Sequence, residues 1–491
     1  MKNNIGTYSV TRLAALSFAV FITLALIRPV VAESRTPFVG PLMVATLCAG
    51  LLFFIRARKE EAAQQFMRVG FYLGILAFFL SFPILSPEKV NPDIPDEIHN
   101  LLAWALFLTI CGFELMYQIL PTSKSTKHAA VQPMQVTERQ RRWLYGFVFV
   151  GMGAWFLSVW DYATAVQAPI ASVVLTMRGV IEGGQSETVS SPGYLVLALG
   201  TGVFLAASAG SLLLTFRRLT MRGVLICWGA VIGCAAVGFL SGSRAVFLYS
   251  FVPLSVVIWT KLSRLKLEKV YKWIGAVSAI ILVVAVWGVM TAMRGSDIRN
   301  YEGGIEEMSP VITAQEAFDV YSTTAVVVES FPEKVPYAYG ESIVPLVLGW
   351  VPRTIWTDKP YPFGIYMNTL NGETLQARAA SIAVGLTGEG YGNFGLSGAF
   401  LWGAILGLGC RRGDRYIGRM HQNNPLRLQI AGMAVVWVAM IVRGGVPEMF
   451  YMGLQIIVVP LALAKFLTLR RKQLLIRKPG IQPSVTVLSN R

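Results

Sequence analysis

Five arginines in the sequence have neighbours that suit anion binding. Each stands beside a glycine, a serine or a proline, at or near the end of an apolar stretch: Arg178, Arg244, Arg294, Arg353 and Arg443. A guanidinium binds phosphate oxygens in a bidentate manner, and a neighbouring glycine lets the backbone approach an oxyanion. These arginines are therefore candidate ligands of a phosphate or another oxyanion. The competing interpretation is that each arginine reaches towards lipid head groups.

Carboxylates in the same regions could accept a proton from a substrate. Glu389 lies in the glycine-rich stretch 388–395, just before an apolar segment, and Glu448 follows Arg443 at the start of another. A carboxylate near a substrate hydroxyl can act as a general base. Glu389 is the first candidate for this role and Glu448 the second; the further candidates are Asp319, Glu341 and Asp358. No His or carboxylate cluster has metal-site spacing, so we expect chemistry without a metal or other cofactor.

The position of these residues depends on the membrane segments that carry them. The chain of 491 residues is 54% hydrophobic and only 14% charged, whereas a soluble domain has about 25% charged residues. This composition excludes a water-soluble enzyme, a nucleic-acid-binding protein and a disordered chain. Twelve stretches are long and apolar enough to span a bilayer, which takes about 20 residues: 11–31, 38–55, 67–86, 100–120, 143–160, 194–216, 222–240, 244–260, 271–292, 391–410, 427–442 and 447–468. The sequence therefore predicts an all-α polytopic integral membrane protein with a single membrane domain, 1–491.

The basic residues orient these segments. With a cytoplasmic N-terminus, 31 of the 43 Lys and Arg residues fall inside and 12 outside, whereas 21 of the 27 acidic residues fall outside. This split follows the positive-inside rule and predicts that both termini are cytoplasmic. The net charge of +16 is then a basic rim that faces anionic membrane lipid. Residues 1–32 also resemble a cleavable signal peptide, and cleavage there would leave the remaining orientation unchanged.

The largest loops, 161–193 and 293–390, lie on the predicted outer side. In the second loop, Ser309-Pro310 is typical of a helix start and predicts a helix that ends near Ser330, before Pro332. The apolar run 342–351 is too short to span a bilayer, so we expect a re-entrant or interfacial segment.

One ionisable residue lies within a predicted span. Glu114 occupies the fourth stretch, where a charged group is costly. We therefore expect it to pair with a residue on another helix or to line a cavity.

Three stretches stand in the same order as motifs of one bacterial family. Gly242-Ser243-Arg244 opens an apolar stretch, and 351–360 is similar to the family's Pro-Arg-x-x-Trp-x-x-Lys-Pro. The stretch 388–395 is similar to its Glu-x-Tyr-x-Asn-Phe-Gly. The sequence thus resembles the O-antigen and exopolysaccharide repeat-unit polymerases, the Wzy-type enzymes.

The resemblance implies a multi-span glycosyltransferase of the GT-C-like class in the bacterial inner (plasma) membrane. Such enzymes take polyprenyl-diphosphate-linked oligosaccharides on the extracytoplasmic face and transfer the growing glycan to the next lipid-linked repeat unit. The arginines and Lys359 would hold the diphosphate, and Glu389 or Glu448 would accept the proton. Sugar contacts would come from Trp356, Tyr361, Tyr391 and Asn393. A flippase and a chain-length regulator would be the expected protein partners.

Two other functions remain open at this point. An O-antigen ligase-like or other lipid-linked glycosyl transfer would use the same kind of donor, but relatives of that type often place a histidine near it. His99 is the only histidine on the predicted outer side, and it sits beside an acidic, proline-rich loop. A twelve-span transporter would match the number of segments, but the two matching halves typical of transporters are not visible.

Overall fold

A computed structural model describes the residues 39–57, 65–85, 94–119, 137–165, 201–215, 219–240, 244–262, 319–348, 363–370, 383–420 and 425–476, with the single positions 351, 356, 358 and 360. Within these residues all regular structure is helical. In chain order the helices are α1 (Val39–Ala57), α2 (Phe66–Gly74), α3 (Ser81–Leu85), α4 (Asp96–Ile119), α5 (Glu138–Ala165), α6 (Gly202–Thr215), α7 (Met221–Leu240), α8 (Arg244–Leu262), α9 (Tyr321–Ser330), α10 (Val344–Leu348), α11 (Phe363–Leu370), α12 (Gly385–Gly418), α13 (Pro425–Gly444) and α14 (Val446–Ile476). A π-helix, Ile75–Leu80, joins α2 to α3, and a 3₁₀ turn, Glu341–Ile343, precedes α10.

Five of the described helices are long and apolar enough to cross a bilayer: Asp96–Ile119, Glu138–Asp161, Met221–Phe239, Gly385–Gly418 and Pro425–Gly444. The predicted class, a helical protein built for a membrane, is confirmed at this level. Two of the predicted stretches, 11–31 and 271–292, lie outside the described residues, and each of the other stretches overlaps a helix. Twelve spans and the resemblance to the GT-C-like class stay predictions.

Close packing of α4 against α12 forms the centre of the described structure. A Cβ atom on Gly403 would lie 2.0 Å from the Thr109 carbonyl oxygen, and one on Gly407 would lie 2.2 Å from that of Phe113. Only glycine allows the two backbones to approach this closely, as is common between membrane helices. Around this pair, α2 packs on α13, and α13 packs on α14.

Glu114 pairs with another helix, as the sequence predicts. Its carboxylate accepts two hydrogen bonds from Arg68 of α2, one from Nε at 2.8 Å and one from a terminal nitrogen at 2.5 Å. The Tyr72 hydroxyl and the Gln118 amide also donate to it. Beside this ion pair, Asp414 of α12 accepts from the Met67 backbone N–H at 2.9 Å and from the Tyr117 hydroxyl at 2.7 Å. This inner polar cluster, Arg68, Tyr72, Glu114, Tyr117 and Asp414, joins three helices with each buried carboxylate hydrogen-bonded.

The long loop 293–390 contains structure only partly anticipated from the sequence. The helix α9 ends at Ser330, the position that the sequence predicts, but Asp319 and Val320 are not helical. The helix start predicted at Ser309-Pro310 lies outside the described residues, and Asp319 accepts the Ser322 backbone N–H at 2.9 Å just before α9. Of the predicted re-entrant run 342–351, the part up to Leu348 forms a 3₁₀ turn and the short helix α10.

Candidate functional site

The glycine-rich stretch 388–395 reverses the direction of the chain. The backbone leaves the helical conformation at Phe394 and at Gly395, where φ is +64°. A Cβ atom on Gly398 would lie only 2.0 Å from the Gly390 carbonyl oxygen, although residues eight apart in one straight helix are about 12 Å apart. The helix α12 therefore consists of two parts, 385–393 and 396–418, which fold back on each other. The predicted tenth span, 391–410, thus begins only after this reversal.

Residues 338–340 close the end of the first part of α12. The backbone N–H groups of Ala338 and Tyr339 donate to the carbonyl oxygens of Gly392 and Asn393, at 2.9 and 3.2 Å. These carbonyls have lost their donors within the helix because the helix stops there. The segment turns sharply, with φ of +44° at Tyr339 and +93° at Gly340, and Glu341 N–H donates back to the Ala338 carbonyl. This pair of positive φ values is typical of a type I′ turn.

Glu389 lies buried where three segments of the chain meet. Its side chain is 1% exposed. One carboxylate oxygen, Oε1, accepts a 3.0 Å hydrogen bond from the Ser342 hydroxyl, and Oε2 accepts a 2.7 Å bond from the Val446 backbone N–H. Val446 is the first residue of α14, so the carboxylate meets the positive end of that helix dipole. Both carboxylate oxygens therefore accept a hydrogen bond within the protein.

Asn393 connects the parts of this arrangement. Its Nδ2 donates to Ser342 Oγ at 2.8 Å and to the Glu389 carbonyl oxygen at 2.7 Å, while its Oδ1 accepts from the Gly340 backbone N–H at 2.9 Å. Asn393 is fully buried. Its amide group is therefore engaged within the protein, one helical turn away from Glu389.

The connection between α13 and α14 is shaped to receive the carboxylate. Gly445 has a φ of +88°, and a Cβ atom on it would lie 2.6 Å from Glu389 Oε2. An L-residue with a side chain is disfavoured at this backbone conformation and would also displace the carboxylate. Glycine at this position lets the end of α13 turn into α14 directly beside Glu389.

Arg443 lies in the last turn of α13, two residues before Gly445. Its guanidinium carbon is 5.9 Å from the centre of the Phe78 ring, a cation–π distance. Phe78 belongs to the π-helix Ile75–Leu80, and its carbonyl oxygen accepts the Val320 backbone N–H at 3.0 Å. Pro83 lies five residues further on and has no N–H, so it cannot supply the π-helical donor to that carbonyl. The π-helix thus joins Arg443 to the start of α9.

The helix α9 holds the entry of the first part of α12. The hydroxyls of Thr323 and Thr324 donate at 2.8 Å to the carbonyl oxygens of Ala383 and Val384. At the start of α9, the Tyr321 hydroxyl lies 3.0 Å from His99 Nδ1, and both side chains are buried. Burial and the neighbouring Asp319 carboxylate raise the pKa of Tyr321 well above its usual range, so its hydroxyl keeps its proton. His99 is thus part of a buried contact between α4 and α9.

The predicted site residues are described to different extents. The positions Arg178, Arg294, Arg353, Lys359 and Tyr361 lie outside the described residues. Arg244 begins α8 and Glu448 lies in the first turn of α14, but the structure describes only their backbone. Trp356 is partly buried, and Tyr391 is 4% exposed with its ring 6.3 Å from that of Tyr337. Glu389, Asn393 and Arg443 are the predicted residues that the structure brings into one region.

Ser342, Gly340 and the N–H of Val446 belong to this site but were not anticipated. Ser342 stands at the start of an apolar run, where a single serine carries no distinct signal. Every residue except proline has a backbone N–H, so the residue type at Val446 does not indicate this contact. The contact depends instead on where α14 begins. The glycine pair Gly444-Gly445 just before α14 was the one available indication of a tight approach.

Comparison of the chain with protein family profiles, with curated protein sequences and with solved structures found no match.

Proposed function

We propose that the chain polymerises polyprenyl-diphosphate-linked oligosaccharide repeat units into O-antigen or exopolysaccharide, on the extracytoplasmic face of the bacterial inner membrane. The proposal combines the sequence resemblance with one structural observation. The stretch that carries Glu389 docks on the segment that leads into the second motif-like stretch, 351–360. The hydrogen bonds from Ala338, Tyr339 and Ser342 make this contact.

Three regions that the sequence analysis singled out separately therefore support one site. Glu389 contributes a buried carboxylate, Arg443 stands two residues before Gly445, which lies beside that carboxylate, and 337–348 leads in the sequence to the second motif-like stretch. Transfer from a diphosphate needs a proton acceptor and a cation for the leaving group, and Glu389 and Arg443 are the candidates for these two roles.

In the proposed reaction the acceptor hydroxyl oxygen attacks the anomeric carbon of the donor glycan. The bond between that carbon and the phosphate oxygen breaks, and the diphosphate leaves with the electron pair on the polyprenyl carrier. Glu389 takes the hydroxyl proton. Arg443 and the predicted arginines stabilise the charge on the leaving diphosphate.

Elongation by purified protein is the direct test of this proposal. The gene is deleted in its own host, and the polyprenyl-diphosphate-linked glycans are extracted from the deletion strain. Full-length protein in liposomes is then incubated with this extract, and product length is measured by mass spectrometry and gel electrophoresis. Polymerisation predicts a ladder of lipid-linked products with increasing repeat number, together with release of polyprenyl diphosphate.

The same experiment separates the competing functions. A ligase-like transfer would give a single transfer to a different acceptor, with no ladder. A transporter would change the side of the membrane on which the glycan is found and would leave its length unchanged. Either of these outcomes contradicts polymerisation.

A further inference from the structure

We infer that Ser342, held in place by Asn393, is a positioning residue that fixes the Glu389 carboxylate for proton transfer. This inference rests on the proposed function, because it assumes that Glu389 is the base. It also assigns Asn393 to the support of the base rather than to contact with a sugar.

The direction of the hydrogen bonds carries the argument. A backbone N–H can only donate, so the Asn393 atom that faces Gly340 N–H is the carbonyl oxygen Oδ1. Nδ2 must then face Ser342, where it donates to the hydroxyl oxygen. Since that oxygen already accepts a bond, the single hydroxyl proton is directed to Glu389 Oε1 at 3.0 Å. The hydrogen bonds are therefore all donated in one direction: from Gly340 N–H to Asn393, from Asn393 to Ser342, and from Ser342 to the Glu389 carboxylate.

Two points of attachment determine how the carboxylate lies. Ser342 holds Oε1, and the Val446 N–H holds Oε2 on the other side. Loss of the Ser342 bond releases Oε1 from this contact, so that the carboxylate can turn away from its described orientation. Proton transfer requires a heavy-atom approach of about 2.6–3.2 Å, so a rotated carboxylate is a poorer base.

The hydrogen bonds of the two side chains separate this role from substrate binding. The Ser342 hydroxyl donates to Glu389, and the Asn393 amide is bonded to Ser342, to the Glu389 carbonyl and to the Gly340 N–H. Because these groups bond to each other and to Glu389 within the protein, we expect their effect on the reaction to pass through Glu389. A change at Ser342 should therefore alter kcat and leave KM unchanged.

The chain contains a matched serine away from the site. Ser211 of α6 is fully buried, accepts a 2.8 Å bond from the Gln429 amide and donates at 3.0 Å to the Pro253 carbonyl. Like Ser342, Ser211 accepts a hydrogen bond from a side-chain amide and donates one to an oxygen, but that oxygen does not belong to a catalytic carboxylate. Ser211→Ala thus controls for loss of a buried serine hydrogen bond as such.

The test measures kcat and KM for full-length protein in liposomes, with lipid-linked glycans from the deletion strain as substrate. A hydrogen bond to a charged group corresponds to about 10- to 100-fold in rate, and Ser342→Ala should lower kcat by this factor with KM unchanged. Ser342→Thr keeps a hydroxyl and should recover most of the rate. Ser211→Ala should keep the normal rate per folded molecule. In combination with Glu389→Gln, Ser342→Ala should add no further loss.

Two results would overturn the inference. The first is a normal kcat for folded Ser342→Ala, and the second is a loss that multiplies with that of Glu389→Gln. If Ser342→Ala does not accumulate, Ser342→Cys replaces it, since a thiol of similar size donates weakly and should show the same loss. Failure of the proposed function looks different: either wild-type protein gives no elongation, or Glu389→Gln keeps the full rate.

Discussion

The backbone N–H of Val446 donates a 2.7 Å hydrogen bond to Glu389 Oε2. This bond joins the first turn of the last described helix to the glycine-rich stretch 388–395. An acidic group at a helix N-terminus gains about 0.3–1 kcal/mol at exposed positions and more when partly buried. The proposed chemistry is therefore located where the break in α12 meets the turn between α13 and α14.

Gly445→Ala should disturb this contact directly. The positive φ of Gly445 and the 2.6 Å approach of a Cβ atom to Glu389 Oε2 both oppose a side chain. We expect a loss of about 1–3 kcal/mol in stability, measured as a lower unfolding temperature, together with a lower rate of polymerisation per folded molecule. Gly409→Ala is the matched control, because a Cβ atom there meets open space. Equal behaviour of the two variants would contradict the described turn.

Arg443 should contribute to stabilisation of the leaving diphosphate. Its replacement by Ala is expected to lower the rate by about 10²–10³-fold, and Lys should recover little because it lacks the planar fork. Arg411 stacks on Tyr117 at 5.0 Å, much as Arg443 stacks on Phe78, so Arg411→Lys is the control and should keep its rate. Arg244, Arg294 and Arg353 are expected to behave as Arg443 does. Full polymer length with both Arg443→Ala and Arg353→Ala would contradict a shared diphosphate site.

The inner polar cluster should affect stability without affecting the reaction. Arg68→Ala leaves the buried Glu114 carboxylate without its cation, which typically costs about 3–5 kcal/mol. The double variant Arg68→Met with Glu114→Leu removes both charges and should unfold at a higher temperature than Arg68→Ala. Thermal unfolding in detergent checks the order of the variants. A specific activity that falls together with stability, after correction for folded protein, would contradict the structural role.

The membrane orientation predicted from charge can be checked with cysteine labelling. Ile305→Cys lies in the predicted outer loop and Gly480→Cys in the predicted cytoplasmic tail. An impermeant maleimide added to intact spheroplasts should label position 305 and leave position 480 unlabelled until the membrane is opened. The reverse pattern would place the arginines in the cytoplasm and would remove the basis for an extracytoplasmic reaction.

Apolar stretches predicted the helices well, because about 20 apolar residues are visible in a sequence without any knowledge of neighbours. The partner of Glu114 could not be predicted in this way. The cost of a charge in the membrane indicated that a partner exists, but Arg68, at the start of the predicted span 67–86, carried no sign of being that partner. Its pairing with Glu114 depends on which helices are adjacent, and the sequence does not specify adjacency.

The contacts within the candidate site likewise depend on which segments are adjacent, which the sequence does not specify. Glu389 stood out because glycines surround it, and Arg443 because a glycine follows it at the end of an apolar stretch. Ser342 and Val446 lie 47 and 57 positions away from Glu389, and neither has a local signal for its contact. The reversal at Gly395 was missed because the apolar residues on both sides of it also fit one continuous span.

The rate of Glu389→Gln tests the central claim most directly. Gln keeps the size of the side chain and removes the negative charge, and loss of a general base typically lowers the rate by about 10²–10⁴-fold. Glu114→Gln is the control, since Glu114 is a partly buried carboxylate that, like Glu389, accepts hydrogen bonds. Polymer formed per mole of folded protein is measured for both variants in liposomes with lipid-linked glycans from the deletion strain. The account predicts that Glu389→Gln folds and loses elongation while Glu114→Gln retains it, whereas near-normal elongation by Glu389→Gln would contradict the account and leave Glu448 as the next candidate base.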